Sequence, residues 1–196
     1  MKKSWIILIV LALLIIVGYS TVKSTYNNMV TSSEAVDAQW AQVENVYQRR
    51  ADLIPNLVAT VKGYASHEKE TLEAVITARS KATSTTIDAG GMNAASLQQF
   101  QQAQEGLSSA LSRLMVVVER YPDLKANQGF LDLQAQLEGT ENRITVERKR
   151  FNDEARVYNT TIKKFPNNIF AGVFNFDEKA YFQAAEAAKI APKVEF

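Results

Sequence analysis

The feature that most constrains this chain is an uncharged stretch at residues 4–22, wholly apolar from Trp5 to Val17. A helix lying on a globular domain keeps a polar face, and this run has none. At 1.5 Å per residue it reaches roughly 27 to 29 Å, close to the hydrocarbon thickness of a bilayer. Its ends agree with a membrane span. Trp5 and Tyr19 sit where amphipathic rings favour the headgroup level, and Lys2 and Lys3 with the terminal amine outweigh the lone Lys23 beyond it. Lys2, Lys3, Trp5 and Tyr19 are therefore the expected membrane-interface anchors. The excess of positive charge ahead of the span predicts a cytoplasmic N-terminus at 1–3, a transmembrane helix at 4–22 and an exported domain at 23–196, on the periplasmic or extracytoplasmic side of the cell (inner) membrane. A cleaved secretory signal competes, because Gly18 and Ser20 loosely imitate a cleavage site, but a helical pattern follows directly from Tyr26. Both readings export the same domain.

Length allows one domain besides the anchor, since 196 residues are tight for two. The chain's composition excludes several classes of function. With 22 basic and 21 acidic residues there is no net field to attract nucleic acid or an acidic substrate. With no cysteine, disulfides, thiolate metal sites, a cysteine nucleophile and a lipid-modified N-terminal cysteine are all ruled out. Glycine and proline are scarce, as in long helices.

Core-type positions from Tyr26 onward advance alternately by three and four, through Met29, Ser33, Val36, Trp40, Val43, Tyr47, Arg50, Ile54, Leu57 and Val61 to Tyr64. This is a heptad seam with Ser33 and Arg50 as polar interruptions. Pro55 lies inside it, where it lacks the donor owed to the Ala51 carbonyl, so a kink or a restart is expected near 51–55. The pattern continues to about residue 82. Residues 83–94 have no periodicity and read as a loop. A second seam, Leu97, Phe100, Gln104, Leu107, Leu111, Leu114, Val118 and Tyr121, predicts a helix over 95–121 that ends at Pro122. A third runs from Phe130 through Leu133, Leu137, Thr140, Ile144, Glu147, Phe151, Ala155, Tyr158 and Ile162 to Phe165, giving a helix over 128–165 closed by Pro166. Residues 167–176 read as irregular, and 177–189 as a short C-terminal helix. Helices joined this tightly run antiparallel, so the fold class is all-α: an N-terminal transmembrane helix, then an elongated antiparallel helical bundle of coiled-coil type.

The ordered motifs resemble the LemA family of bacterial single-pass membrane proteins. They are YNNMV at 26–30, WAQVENVYQRRADLIPNLVATVKGYASHE at 40–68, YPDLKAN at 121–127, TENRI at 140–144, YN at 158–159, FP at 165–166, YF at 181–182 and PKVEF at 192–196. The resemblance implies a bacterial envelope protein with one N-terminal membrane helix and a helical-bundle domain, and it brings no catalytic residues with it.

Catalytic chemistry is not evident in the residues either. His67 is the single histidine and sits in HEKE, so a zincin site lacks its second imidazole. Gly90-Gly91 is turn chemistry rather than a phosphate cradle. The expectation is a protein that is not an enzyme and takes no cofactor or metal. The densest polar cluster, Glu44, Asn45, Gln48, Arg49, Arg50 and Asp52, reads first as a solvated helix face. Arg50 is the exception, because on the seam it needs a buried partner, which Glu141 or Glu147 of the third helix would supply. Glu44, Arg49, Arg50, Asp52, Glu141, Arg143 and Glu147 are thus the candidate interaction or register-setting residues. The aromatic C-terminus, with Phe170, Phe174, Phe176, Tyr181, Phe182 and Phe196, is expected to dock on the bundle's own end, with a subunit or bilayer contact as the alternative.

These readings lead to a membrane-anchored, non-catalytic envelope scaffold or interaction protein. Its expected partners are the lipid bilayer and further copies of itself as a homo-oligomer. A regulatory or adaptor subunit for another membrane protein is the second reading, and an unrecognised carboxylate-dependent enzyme a remote third.

Overall fold

The computed structural model describes residues 3–87 and 92–183, which are helical or irregular throughout. The helices are α1 (Lys3–Tyr64), α2 (Lys69–Ser84), α3 (Ala94–Val118), the single turn α4 (Pro122–Lys125), α5 (Gln128–Lys163) and α6 (Asn167–Phe174). Among the described residues α1 is the one helix long and apolar enough to cross a membrane, and no residue of its apolar window is buried. Lys2 lies outside the described residues. Contacts divide the chain into two compact units, Met1–Ala38 with Asp153–Lys179, and Gln39–Asn152 with Ala180–Phe196.

In the second of these units, long-range bonds fix the helix directions. Arg79 of α2 meets Ala51 of α1, so the two run antiparallel from the turn at 65–68. Gln104 of α3 reaches Ala82, while Arg120 and Tyr121 just past α3 reach Glu68, which makes α2 and α3 antiparallel. Gln39 bonds Glu147, Arg50 bonds Glu141 and Tyr64 bonds Asn127, so α5 runs back along α1. The result is an up-down-up-down bundle around Ile54, Leu57, Val61, Leu72, Val75, Leu107, Leu114 and Phe130. Each α3 seam position from Leu97 to Val118 is buried, as three-four spacing requires. Asn93 caps α3 by accepting from the Ala95 and Ser96 amides, and Ser96 returns the bond to the Asn93 amide.

Pro55 does not restart the first helix. Helix α1 runs through it, and the interruption falls at 65–68. The carbonyl that Pro55 leaves without its amide, that of Ala51, accepts instead from Arg79 Nε at 2.7 Å. A cation from the next helix thus replaces the missing donor.

The first unit contains the start of α1, the end of α5 and α6. Met29 and Val36 of α1 are buried, as are Ala155, Tyr158 and Ile162 of α5 and Ala171 of α6. Tyr26 and Phe165, both on predicted seams, are exposed. Residues 167–174, expected to be irregular, form α6. It ends at Asn175, whose φ of 57° is the left-handed conformation that asparagine tolerates, and the Asn175 and Phe176 amides both return to the Ala171 carbonyl. Lys179 pairs with Asp37 at 3.0 Å, largely enclosed, and the Tyr158 hydroxyl donates to the Asp177 carbonyl at 2.9 Å.

The C-terminal helix expected at 177–189 does not begin there. Residues 177–183 are not helical, and 184–189 lie outside the described residues. Two asparagines of α5 account for this. Within the first unit Asn159 accepts from the Lys179 amide at 2.9 Å and donates to the Lys179 carbonyl at 2.8 Å. Within the second, Asn152 does the same for Phe182, at 2.9 and 3.0 Å. A helix would commit those carbonyls to its own next turn, and a side-chain amide that presents donor and acceptor together competes successfully.

Removing the Arg79 guanidinium by Arg79→Ala is expected to cost about 1 to 3 kcal/mol, the loss from stranding a polar group. In a Pro55→Ala background the cost should shrink, because residue 55 then donates to Ala51 itself. Denaturant unfolding of all four variants of this cycle in detergent measures the coupling. A second expectation concerns pH. Burial, then the charges of Asp177 and Asp37, push the Tyr158 phenol up to about 12. Because the folded state holds this proton more tightly, the contribution is constant below the unfolded value of about 10 and is lost as pH rises from there through about 12. Tyr158→Phe should flatten alkaline destabilisation in that window, followed by helix content against pH.

Candidate interaction site

Arg50 is 1% exposed, at a position where the seam calls for an apolar side chain. Its charge is held by a fork of acceptors from two facing helices. One terminal nitrogen donates to Glu141 Oε1 of α5 at 2.7 Å and to Ser108 Oγ of α3 at 2.9 Å. The other donates to Gln104 Oε1 at 2.6 Å and to the Gln104 carbonyl at 3.3 Å. Gln104 in turn donates to the Ala82 carbonyl near the end of α2, so the network touches all four long helices. Tyr47 lies beneath the guanidinium at 5.1 Å. Burial raises the Tyr47 phenol above its ordinary value, against the opposing pull of Arg148 and then Arg50. Arg50 Nε and Trp40 Nε1 are buried without a hydrogen-bond partner. Each such group costs about 1 to 3 kcal/mol, so polar satisfaction is traded here for packing.

The other predicted residues separate from Arg50. Asp52 is exposed and accepts from Gln48 one turn away, and Arg49 and Arg143 are exposed. Glu147 does not reach Arg50; it accepts from Gln39 at 2.7 Å and pairs with Arg150 at 2.9 Å. Glu44 is half-buried and lines an open cleft of about 250 Å³ together with Tyr47, Gln48, Thr83, Thr86 and Phe100. The sequence cluster at 44–52 is therefore one core cation plus a solvated face. Lys3, Trp5 and Tyr19 are exposed on the apolar part of α1.

One irregular segment completes the bundle's aromatic core. Phe182 is 6% exposed, stacked on Trp40 at 6.0 Å and edge-on to Phe151 at 5.5 Å. Trp40 also meets Phe100 at 5.2 Å and Phe151 at 5.6 Å. The Arg148 guanidinium covers the Phe182 ring at 4.6 Å and donates to the Gln183 carbonyl, which also accepts from Gln101. Burying such a ring is worth about 1.5 to 3 kcal/mol, with about 0.5 to 1.5 more for each well-placed aromatic pair. The expected docking of the aromatic C-terminus on its own domain thus holds for Phe182. In the first unit Phe174 and Phe176 pack on Tyr26, while Phe196 lies outside the described residues.

Sequence reasoning missed Gln104 and Ser108 as partners of Arg50, and Asn152 and Asn159 as the residues that hold the C-terminal segment. A signal existed in both cases. Gln104 is a polar interruption of the second seam as Arg50 is of the first, and Asn152 and Asn159 are one heptad apart, each directly after a buried seam position. Among the described residues no group of three or more His, Cys, Asp or Glu could hold a metal ion.

An all-helical domain with a buried, bridged arginine, on a helix that begins with a membrane-length apolar stretch, defines a class of helical-bundle proteins with one candidate membrane span. The chain belongs to the LemA family, whose model matches residues 39–196. It is similar to magnetosome protein MamQ 2 of Paramagnetospirillum magneticum, 29% identical over 92% of this chain and 73% of that protein. It is also similar to magnetosome protein MamQ of Magnetospirillum gryphiswaldense, 27% identical over 89% and 72% of the two chains. Protein LemA of Metamycoplasma hominis is 23% identical over 84% of this chain and 71% of that one.

Replacing Arg50 by Met strands Gln104 and Ser108 and should destabilise the protein by about 2 to 4 kcal/mol, whereas Glu141→Gln, at a half-exposed partner, should cost under about 1 kcal/mol. Chemical denaturation of the two variants beside the parent compares them directly.

Proposed function

We propose that this chain is a single-pass, membrane-anchored scaffold or interaction protein of the bacterial envelope, non-catalytic, with a cytoplasmic N-terminus and its bundle on the opposite face of the inner membrane. The observation that carries the reading is the continuity of α1: one unbroken helix holds the unburied apolar stretch and then supplies the seam from Val43 to Val61. Such continuity favours a retained anchor over a cleaved leader. Arg50, the buried cation of the bundle, is paired with Glu141 and inaccessible, as suits a protein that works through surfaces. Its relatives are named for a compartment or for the family, and none of those names states a reaction. Self-association on the membrane accords with exposed apolar side chains outside the seams, among them Ile76, Val116 and Leu131, and with the gain in local concentration that shared anchoring provides. The adaptor reading rests on the half-polar cleft at Glu44 and Thr86, a surface suited to a partner's side chain.

The mass of the full-length protein in mild detergent and in nanodiscs tests self-association: a uniform multiple of the chain supports it, and a monomer in both overturns it in favour of the adaptor. Topology is testable separately because the chain has no cysteine. In intact spheroplasts an impermeant maleimide should label Thr31→Cys and leave Lys3→Cys unlabelled; the reverse pattern would overturn the orientation.

A further inference from the structure

Residues 165–176, which include all of α6, carry no charged side chain. Ile169 and Val173, one turn apart on α6, are 55 and 66% exposed, and Phe165, in the turn just ahead of the helix, is 81% exposed; the protein leaves this short apolar stripe uncovered. The opposite side of α6 is the one used internally. Ala171 is buried, and the rings of Phe174 and Phe176 stand edge-on to Tyr26 at 5.0 and 5.6 Å. Tyr26 belongs to α1, four residues beyond Val22, where the uncharged run ends; at the helical rise that is about 6 Å. The aromatic contacts therefore hold α6 beside the point at which α1 leaves its apolar stretch.

We propose that α6 is an interfacial helix, lying in the headgroup layer of the bilayer that α1 crosses, with Phe165, Ile169 and Val173 inserted toward the acyl chains. The proposal presupposes the anchoring reading above and adds to it a second, peripheral membrane contact. Three observations favour a lipid surface over another protein. The stripe lies at the end of the membrane-length segment. Three side chains in a row are far less than the roughly 800 Å² per partner of a stable protein interface, while a bilayer asks for no matching shape. The segment is rich in phenylalanine and asparagine and free of charge, which the boundary between headgroups and acyl chains tolerates and which spares any ionised group from desolvation. Lys164, just ahead of the stripe and exposed, stands where anionic headgroups would meet it. Such a contact fixes the rotation of α1 about its own axis, which a lone span leaves free.

The absence of native cysteine makes the test direct. Full-length protein with single cysteines Ile169→Cys, Val173→Cys, Arg156→Cys or Leu11→Cys is labelled with an environment-sensitive fluorophore and reconstituted into phosphatidylcholine and phosphatidylglycerol vesicles, with or without lipid bearing a nitroxide near the headgroup or deep in the chain. Labels at 169 and 173 should lose most of their emission to the shallow nitroxide, the label at 11 to the deep one, and the label at 156 to neither. Quenching at 11 with none at 169 and 173 would overturn the interfacial helix and leave the anchor intact. Labels at 169 and 173 shielded from aqueous iodide yet untouched by either lipid would mean that a second copy covers the stripe. No quenching at 11 would overturn the anchor and this proposal with it.

Discussion

The four-helix unit depends on a positive charge that has no route to water. Arg50 lies in the layer where helices of this type place isoleucine or leucine, and a guanidinium there is tolerable only when acceptors arrive from the helices around it. Glu141 and Gln104 do so in the one alignment seen here. Sliding α3 or α5 by a heptad would keep nearly every apolar contact, since Leu, Val and Phe repeat along the seams, but it would strand the arginine.

Beside this network the chain completes its core with a segment that has no regular structure. Phe182 supplies a ring to the cluster of Trp40, Phe100 and Phe151, and Asn152 holds the backbone on either side of that ring. The side-chain amide acts as a short piece of strand edge offered by a helix. Closing an aromatic layer in this way links the stability of the domain to a residue 30 positions beyond Asn152, the α5 side chain that holds it.

Much of this was legible in the sequence because periodicity is a local property. The three seams put Met29, Val36, Trp40, Leu107, Leu114, Phe130 and Ile144 in the core, and each is buried. The polar interruption at Arg50 announced its own need for a partner, and one of the two carboxylates suggested for it is the one found. What escaped depends on contacts distant in sequence. Pro55 read locally as a place to break, because only the folded bundle brings Arg79 to the orphaned carbonyl. The turn at 65–68, ASHE, contains neither glycine nor proline, so nothing in it competes with the pattern on either side. The acidic start at Asp177 and Glu178 imitated a helix N-terminus, and the asparagines that prevent a helix there lie on another element. Charge pattern also grouped Arg50 with Arg49 and Asp52, although three-four spacing sends neighbouring residues to opposite sides of a helix wall.

The turn between α1 and α2 has a further consequence. Connections are usually where a fold absorbs insertions and deletions, since their ends tolerate slack. This one cannot. Glu68, its last residue, accepts from Arg120 and Tyr121, and eleven positions later Arg79 has to meet Ala51. Adding or removing one residue would turn α2 by about 100° about its axis and carry both ends of that arrangement away from their targets. The four residues at 65–68 act as a spacer of set length.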